Sequence, residues 1–172
     1  MTRRVHLERP SAHRREEFLG SLTRSRRLHR HFADPPRDRR AYDAWLGHVR
    51  QPSHQGNFVI DDLTGALVGV VNVNEIVRGG FESGYLGYYA FEPHAGRGFM
   101  RAGLQLVINR AFRKLGLHRL EANIQPDNGA SIELVSRLGF KREGFSPRYL
   151  KLRGRWRDHE RWALLREHWR EG

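Results

Sequence analysis

The stretch from Tyr85 to Leu115 constrains the fold more than any other part of the chain. It opens with an aromatic run, Tyr85 to Phe91, bounded by Gly84 and Pro93, which predicts a strand. It closes with Met100, Leu104, Val107, Ile108, Ala111 and Leu115, apolar residues at the spacing of an amphipathic helix. Between them lies Gly96-Arg97-Gly98. A strand therefore runs through a glycine loop straight into a helix.

Glycines at 96 and 98 let the backbone N–H groups of Gly96 to Met100 turn toward one point and approach a ligand closely. The same groups open a helix, where unpaired donors and the dipole favour an anion. A phosphate or pyrophosphate is the expected guest. A P-loop would need Gly-Lys-Ser/Thr after a longer glycine loop, and a dinucleotide fingerprint would need a third glycine where Arg101 stands. Neither is present. Taken alone, the loop also fits a helix start that needs only a tight turn.

At 172 residues, the chain is expected to form a single domain over residues 1–172, burying roughly 70% of its unfolded surface. The absence of cysteine excludes disulfides, thiolate catalysis, zinc–thiolate sites and iron–sulfur clusters. Residues 1–10 are basic and polar, and no apolar run approaches a membrane span, so a soluble, cytoplasmic protein is expected. The net charge of +12 is almost all arginine, with lysine only at Lys114, Lys141 and Lys151. Such a field attracts nucleic acid, a ribosomal surface, acidic peptides or a polyphosphate cofactor. It fits equally a surface coat without a partner, because the arginines do not gather into one run with interleaved aromatics.

In order, the chain predicts a short strand over Val5 to Arg9, a helix over Ala12 to Leu28 capped by Ser11, and a second helix over Arg39 to Val49. Asn57 to Asp61 and Ala66 to Val77 form a hairpin, and after Arg78-Gly79-Gly80 the strand Phe81 to Phe91 returns antiparallel. Beyond the long helix come a strand over Arg119 to Gln125 and a helix over Asn128 to Leu138, closed by Gly139. Two last strands, Phe140 to Leu152 and Arg155 to Leu165, flank the Arg153-Gly154 turn. The expected class is α/β, with a mixed sheet in one domain.

Four blocks resemble the GNAT superfamily of acyl-CoA-dependent N-acetyltransferases, in the branch that acetylates ribosomal-protein N-termini. They are Val77-Arg78-Gly79 through Tyr85-Leu86-Gly87-Tyr88; Gly96-Arg97-Gly98-Phe99-Met100; Asn128-Gly129-Ala130-Ser131 with Arg137-Leu138-Gly139-Phe140; and Tyr149-Leu150 with Gly154-Arg155-Trp156-Arg157-Asp158-His159. The resemblance implies a mostly antiparallel sheet whose central strand pair splays apart, flanked by helices. It implies acetyl-CoA as co-substrate, no metal, and Gly96, Arg97, Gly98, Phe99 and Met100 as the pyrophosphate cradle. Tyr89, Ala90 and Phe91 would follow the pantetheine arm, the first two by backbone pairing. Asn128 would bond that arm or its thioester end, and would also suit a helix cap. Ala95 stands where the family commonly carries Gln or Arg, which removes one phosphate contact.

Direct acetyl transfer needs an amine near the thioester, a route for its proton, and a donor for the departing thiolate. The resemblance points to Ser131 as that donor, with Tyr149 as a second candidate. Some relatives carry a carboxylate before the tyrosine, but Arg148 stands there and cannot take a proton. Glu75 is the substitute base: strand alternation places it with Val71 and Val73, where burial would raise its carboxyl, although a pair with Arg78 is an alternative. Glu82 or a chain of waters could serve instead. His94, His118 and His159 read as packed or solvated. The acceptor implied is a protein N-terminal α-amine, with a small amine (amino acid, polyamine or antibiotic) as the other enzymatic reading. A basic RNA- or ribosome-binding module without turnover is the reading outside enzymes. A monomer or a homodimer fits the aromatic last strand.

Overall fold

Residues 55–77 are rich in β-branched side chains, and the computed structural model, which describes residues 4–170, folds them as a hairpin at the heart of one sheet. β2 (Gln55–Asp61) and β3 (Leu67–Val77) pair antiparallel around a turn that Asp61 organises. Its carboxylate accepts from the Leu63 N–H at 3.2 Å and the Thr64 hydroxyl at 2.8 Å. β1 (Val5–Glu8) adds outside β2, and β4 (Ser83–Ala90) returns antiparallel to β3. β5 (Arg119–Ile124) lies parallel to β4, while β6 (Lys141–Leu152) and β7 (Arg155–Leu165) form the closing hairpin. The seven strands run β1-β2-β3-β4-β5-β7-β6. Among the described residues only the β4–β5 neighbours are parallel, as their crossover through α4 (Phe99–Arg113) requires.

The two faces of the sheet carry separate apolar clusters. On one, Leu104, Val107, Ile108, Ala111 and Phe112 of α4 are fully buried against Val59, Val71, Val73, Leu120 and Ala122. Only glycine fits at 103, because a Cβ there would lie 2.5 Å from a Val59 methyl. α5 (Gly129–Arg137) joins this layer through Val135. On the other face, α1 (Arg15–Arg24) and α3 (Arg39–His48) set Phe18, Leu22, Tyr42 and Leu46 on Phe58, Ile60, Val70 and Phe91. Phe18 is the hub, with the Tyr42, Phe58 and Phe91 ring centroids 5.0, 5.9 and 5.5 Å away. Among the described residues no helix is long and apolar enough to cross a membrane.

The helix expected over 12–28 is broken. A 3-10 turn at Ala12–Arg14 leads into α1, and a separate turn, α2 (Arg26–His29), follows Ser25. Buried Ser25 donates its hydroxyl to the Ser21 carbonyl at 2.7 Å and accepts from the Glu92 N–H at 2.9 Å. The side chain that ends the helix thus ties it to the exit of β4. Ser11 makes no side-chain cap; its carbonyl instead accepts from the Tyr42 hydroxyl at 2.7 Å.

Candidate active site

β4 and β5 pair only from Ser83–Arg119 to Leu86–Ala122. Beyond those pairs β4 stays with β3 as far as Ala90, β5 stays with β7 as far as Ile124, and a V opens between them. The Phe91 N–H donates to the Val68 carbonyl at 2.9 Å, so alternation turns the backbone groups of Tyr88 and Ala90 away from β3 and into the V. Such an edge can hydrogen-bond an extended, amide-bearing chain as an added strand. One of its groups is already engaged, for the His29 ring donates Nε2–H to the Ala90 carbonyl at 2.7 Å. Burial holds that imidazole below its ordinary pKa, with the Ala90 bond offsetting part of the effect.

The wide end of the V meets the glycine loop. Gly96 and Gly98 take φ +69° and +86°, conformations that glycine adopts without strain. Gly98, which has no side chain, precedes the first residue of α4, and the first-turn N–H groups of a helix point out of its end, beyond the intrahelical ladder. Phe99, 3% exposed, anchors the helix start in the core. A Cβ at Gly96 would meet no protein atom within 4 Å, so the space before the loop is open. The loop therefore presents turned-out backbone on a fixed helix, which suits a phosphate.

Loop and V share a cleft of about 520 Å³ between residues 27–33 and α5. Arg27, Arg30, Arg101 and Arg137 stand on its walls, and the carboxylate that joins them there among the described residues, Glu133, is paired with Arg137. Such a wall favours a polyphosphate. At the other end, Asn128 caps α5 by accepting the Ser131 N–H at 3.3 Å, which sets Ser131 on the cleft. The Tyr88 phenol lies beside Ser131 without reaching hydrogen-bond geometry, and its buried oxygen has no partner among the described residues. Burial pushes Tyr88 up to about 12, so it is protonated at neutral pH. Two hydroxyls that can donate a proton thus face the same space.

Of the residues singled out in the sequence, Tyr89, Ala90, Gly96, Gly98, Met100, Asn128 and Ser131 line this cleft. Arg97 and Phe99 belong to the loop but not to the lining: the Arg97 guanidinium sits 5.7 Å from the Phe99 ring centre. Tyr89 differs from expectation in its backbone, which alternation turns toward β3, while its ring packs on Phe18, His29 and Phe91. Phe91 lies off the cleft lining, fully buried in the core with its N–H held by β3. Tyr149 is outside the cleft, 6.3 Å from the His159 ring and beside the Tyr85 hydroxyl, because β6 pairs only with β7. The buried carboxylate expected at Glu75 is also overturned. Its side chain is 68% exposed and lies 3.5 Å from His54 Nε2. Alternation fails there because the β3–β4 register shifts between Asn74 and Val77 and Glu75 takes φ +48°. Arg78 pairs with Glu82 instead. The role of the Tyr88 side chain and the convergence of the four wall arginines are not legible from local pattern; only the Tyr88 position, two residues past Leu86 on the inward face, carries a signal.

A family model of the acetyltransferase (GNAT) domain matches residues 4–141. The chain belongs to the GNAT acetyltransferase family. It is 36% identical over 135 residues to the ribosomal protein uS5-alanine N-acetyltransferase of Escherichia coli, covering 76% of this chain and 70% of that one. It is 36% identical over 112 residues to "Probable N-acetyltransferase YjcK" of Bacillus subtilis, covering 65% of this chain and 61% of that relative, under two thirds of its length. Among solved structures, Mycobacterium smegmatis RimJ in complex with CoA-disulfide matches with a TM-score of 0.82 at 24% identity, covering 95% of this chain and 82% of that one. Vibrio cholerae spermidine N-acetyltransferase in complex with CoA and spermine matches with a TM-score of 0.81 at 20% identity, covering 95% and 96%. These two likenesses show the GNAT fold, and the expected splayed pair at its centre is the β4–β5 V. GNAT acetyltransferases take their acetyl group from acetyl-CoA, and an open glycine loop leading to a strand edge that faces the V fits that molecule.

Proposed function

We propose that this GNAT chain transfers the acetyl group of acetyl-CoA directly to the N-terminal α-amine of a protein. The observation that carries the reading is the V. It leads from the glycine loop to Ser131 and Tyr88, so one extended ligand would reach from phosphate cradle to proton donors. Acetyl-CoA supplies the activated acetyl group and departs as a thiol once the amine nitrogen has bonded to the acetyl carbon.

The chain's own residues divide the remaining work. The N–H groups of Gly96 to Met100 hold the pyrophosphate, helped by the wall arginines. The edge at Tyr88 and Ala90, with Asn128, aligns the amide-bearing arm, and His29 yields the Ala90 carbonyl. Holding both reactants in line supplies up to about 7–11 kcal/mol of the barrier reduction. Ser131 donates to the departing sulfur, with the Tyr88 phenol behind it. The amine's proton leaves through water, since Glu75 stands outside the cleft and Arg148 cannot accept it.

The acceptor rests on the 36% identity to the uS5-alanine enzyme and on charge. A spermidine N(1)-acetyltransferase of Vibrio cholerae is a weaker relative, 23% identical over 150 residues. A polyamine would bring several cations to a chain of net charge +12, which opposes binding. Incubation with acetyl-CoA and ribosomal proteins carrying free N-termini, read by free-thiol release and mass spectrometry, tests the proposal. Acetylation at the α-amine, lost in Ser131→Ala, is expected. Thiol release with spermidine but with no free N-terminus would refute it.

A further inference from the structure

Beside the acetyl-donor cleft lies a second cavity, of about 330 Å³, walled by Arg26, His29, Arg37 and Arg153 among others. We propose that this cavity receives a carboxylate carried by the acceptor, several bonds away from the amine that reacts. The inference rests on the acetyltransferase reading and narrows its substrate to amines that bear an acid.

Three separate pieces of chain bring the cations together: α2, the segment that follows it, and the turn between β6 and β7. Their convergence is a property of the fold and not of a basic run. Asp34 answers them only loosely, 3.6 Å from Arg37 and 3.9 Å from Arg153, and it is 46% exposed. Arg26 has no carboxylate within 4.0 Å among the described residues. Three guanidiniums therefore line the cavity with Asp34 as their close carboxylate, while Glu92 acts on the His29 ring from further off, and an added carboxylate would be bound by the forked geometry that Arg offers.

Arg153 is built for such a role. It takes φ +49° next to Gly154 at φ +76°, in a tight turn whose first position glycine or asparagine would fill with less strain. Its Nε donates to the Ala33 carbonyl at 3.2 Å, which ties the hairpin tip to the segment after α2 and fixes the guanidinium at the cavity. His29 is the wall between the two sites. It lines both cavities while holding Ala90 at the edge of the V. An acceptor whose amine enters the V past this ring leaves its next few atoms over the arginines.

The test is direct binding to the intact chain saturated with coenzyme A, at low salt because exposed charge pairs are screened. Two fluorescent peptides with a free N-terminal alanine are compared, one carrying glutamates at its next two positions and the other glutamines. The acidic peptide is expected to bind about tenfold tighter, and Arg26→Gln and Arg153→Gln each to remove most of that preference. Arg166→Gln removes the same charge at the opposite end of β7 and is expected to keep it. Arg153→Lys keeps the cation and is expected to restore part of the preference, which separates loss of charge from a damaged turn. Equal binding of the peptides, a preference that survives both cavity variants, or one that Arg166→Gln abolishes as well, would overturn the inference. Displacement of the acidic peptide by free glutamate assigns the carboxylate to a small acceptor; retention assigns it to a peptide. Failure to bind coenzyme A would sink the acetyltransferase reading, whereas coenzyme A binding without an acidic preference sinks this inference alone.

Discussion

Replacing Gly96 with alanine separates what the glycine loop does for the fold from what it does for the ligand. The residue sits at φ +69°, where an L side chain costs about 1–2 kcal/mol. No protein atom lies within 4 Å of the added Cβ, so conformational strain is the whole cost to the unliganded protein. For a chain of this size that is a fall in Tm of about 2–8 °C. Gly65, in the β2–β3 turn, provides the matched control, at φ +71° with the same open surroundings. Gly65→Ala and Gly96→Ala should therefore lose similar stability in thermal unfolding. Only Gly96→Ala places a methyl in the loop proposed to cradle the pyrophosphate. Loss of one charge-assisted hydrogen bond, about 1.5–3 kcal/mol, weakens acetyl-CoA binding by about 10- to 150-fold. Calorimetric titration of both variants checks this. Equal acetyl-CoA affinity in the two, at equal loss of Tm, would refute the assignment of the loop to the pyrophosphate.

Three further outcomes follow from the geometry. Ser131→Ala should lower kcat by about 100-fold or more, the usual worth of a positioned proton donor, and Tyr88→Phe should lower it less; the reverse order in stopped-flow thiol release would make the phenol the acid. His29, His54, His94 and His159 are all held below the ordinary imidazole value, first by burial. The unfolded chain then binds more protons than the native one, so stability should fall as pH drops from about 6.5 toward 5. His6, raised by Asp62, contributes in the opposite sense by losing its stabilisation as pH rises through its folded value; a Tm flat between pH 7 and 5 would contradict the balance. Ser25→Ala strips the Glu92 N–H of its acceptor and should cost about 1–3 kcal/mol in urea unfolding.

Residues whose role is set by local pattern were legible in the sequence. The strand–glycine–helix unit, the hairpin around Gly65 and the Asn128 cap follow from periodicity and turn chemistry that each segment carries within itself. The single break in the first helix was not, because Ser25 ends it for a partner, Glu92, that lies far away in sequence. Glu75 failed for a related reason: alternation holds only while the register does, and the β3–β4 register shifts beside it. The Tyr88 phenol was hidden because an inward tyrosine reads as core until burial without a partner exposes its chemistry. The arginines around both cavities come from segments distant in the chain, and a sequence whose basic residues are everywhere gives no sign of which ones converge.

The four register pairs between β4 and β5 also have a mechanical meaning. The sheet is two plates, one of four strands and one of three, hinged along a seam that ends at Leu86 and Ala122. A molecule that bonds both lips of the gap lengthens that seam and turns two plates into one. Its grip should then be felt far from any contact it makes, as slower amide exchange along β5 and β7 at the far plate.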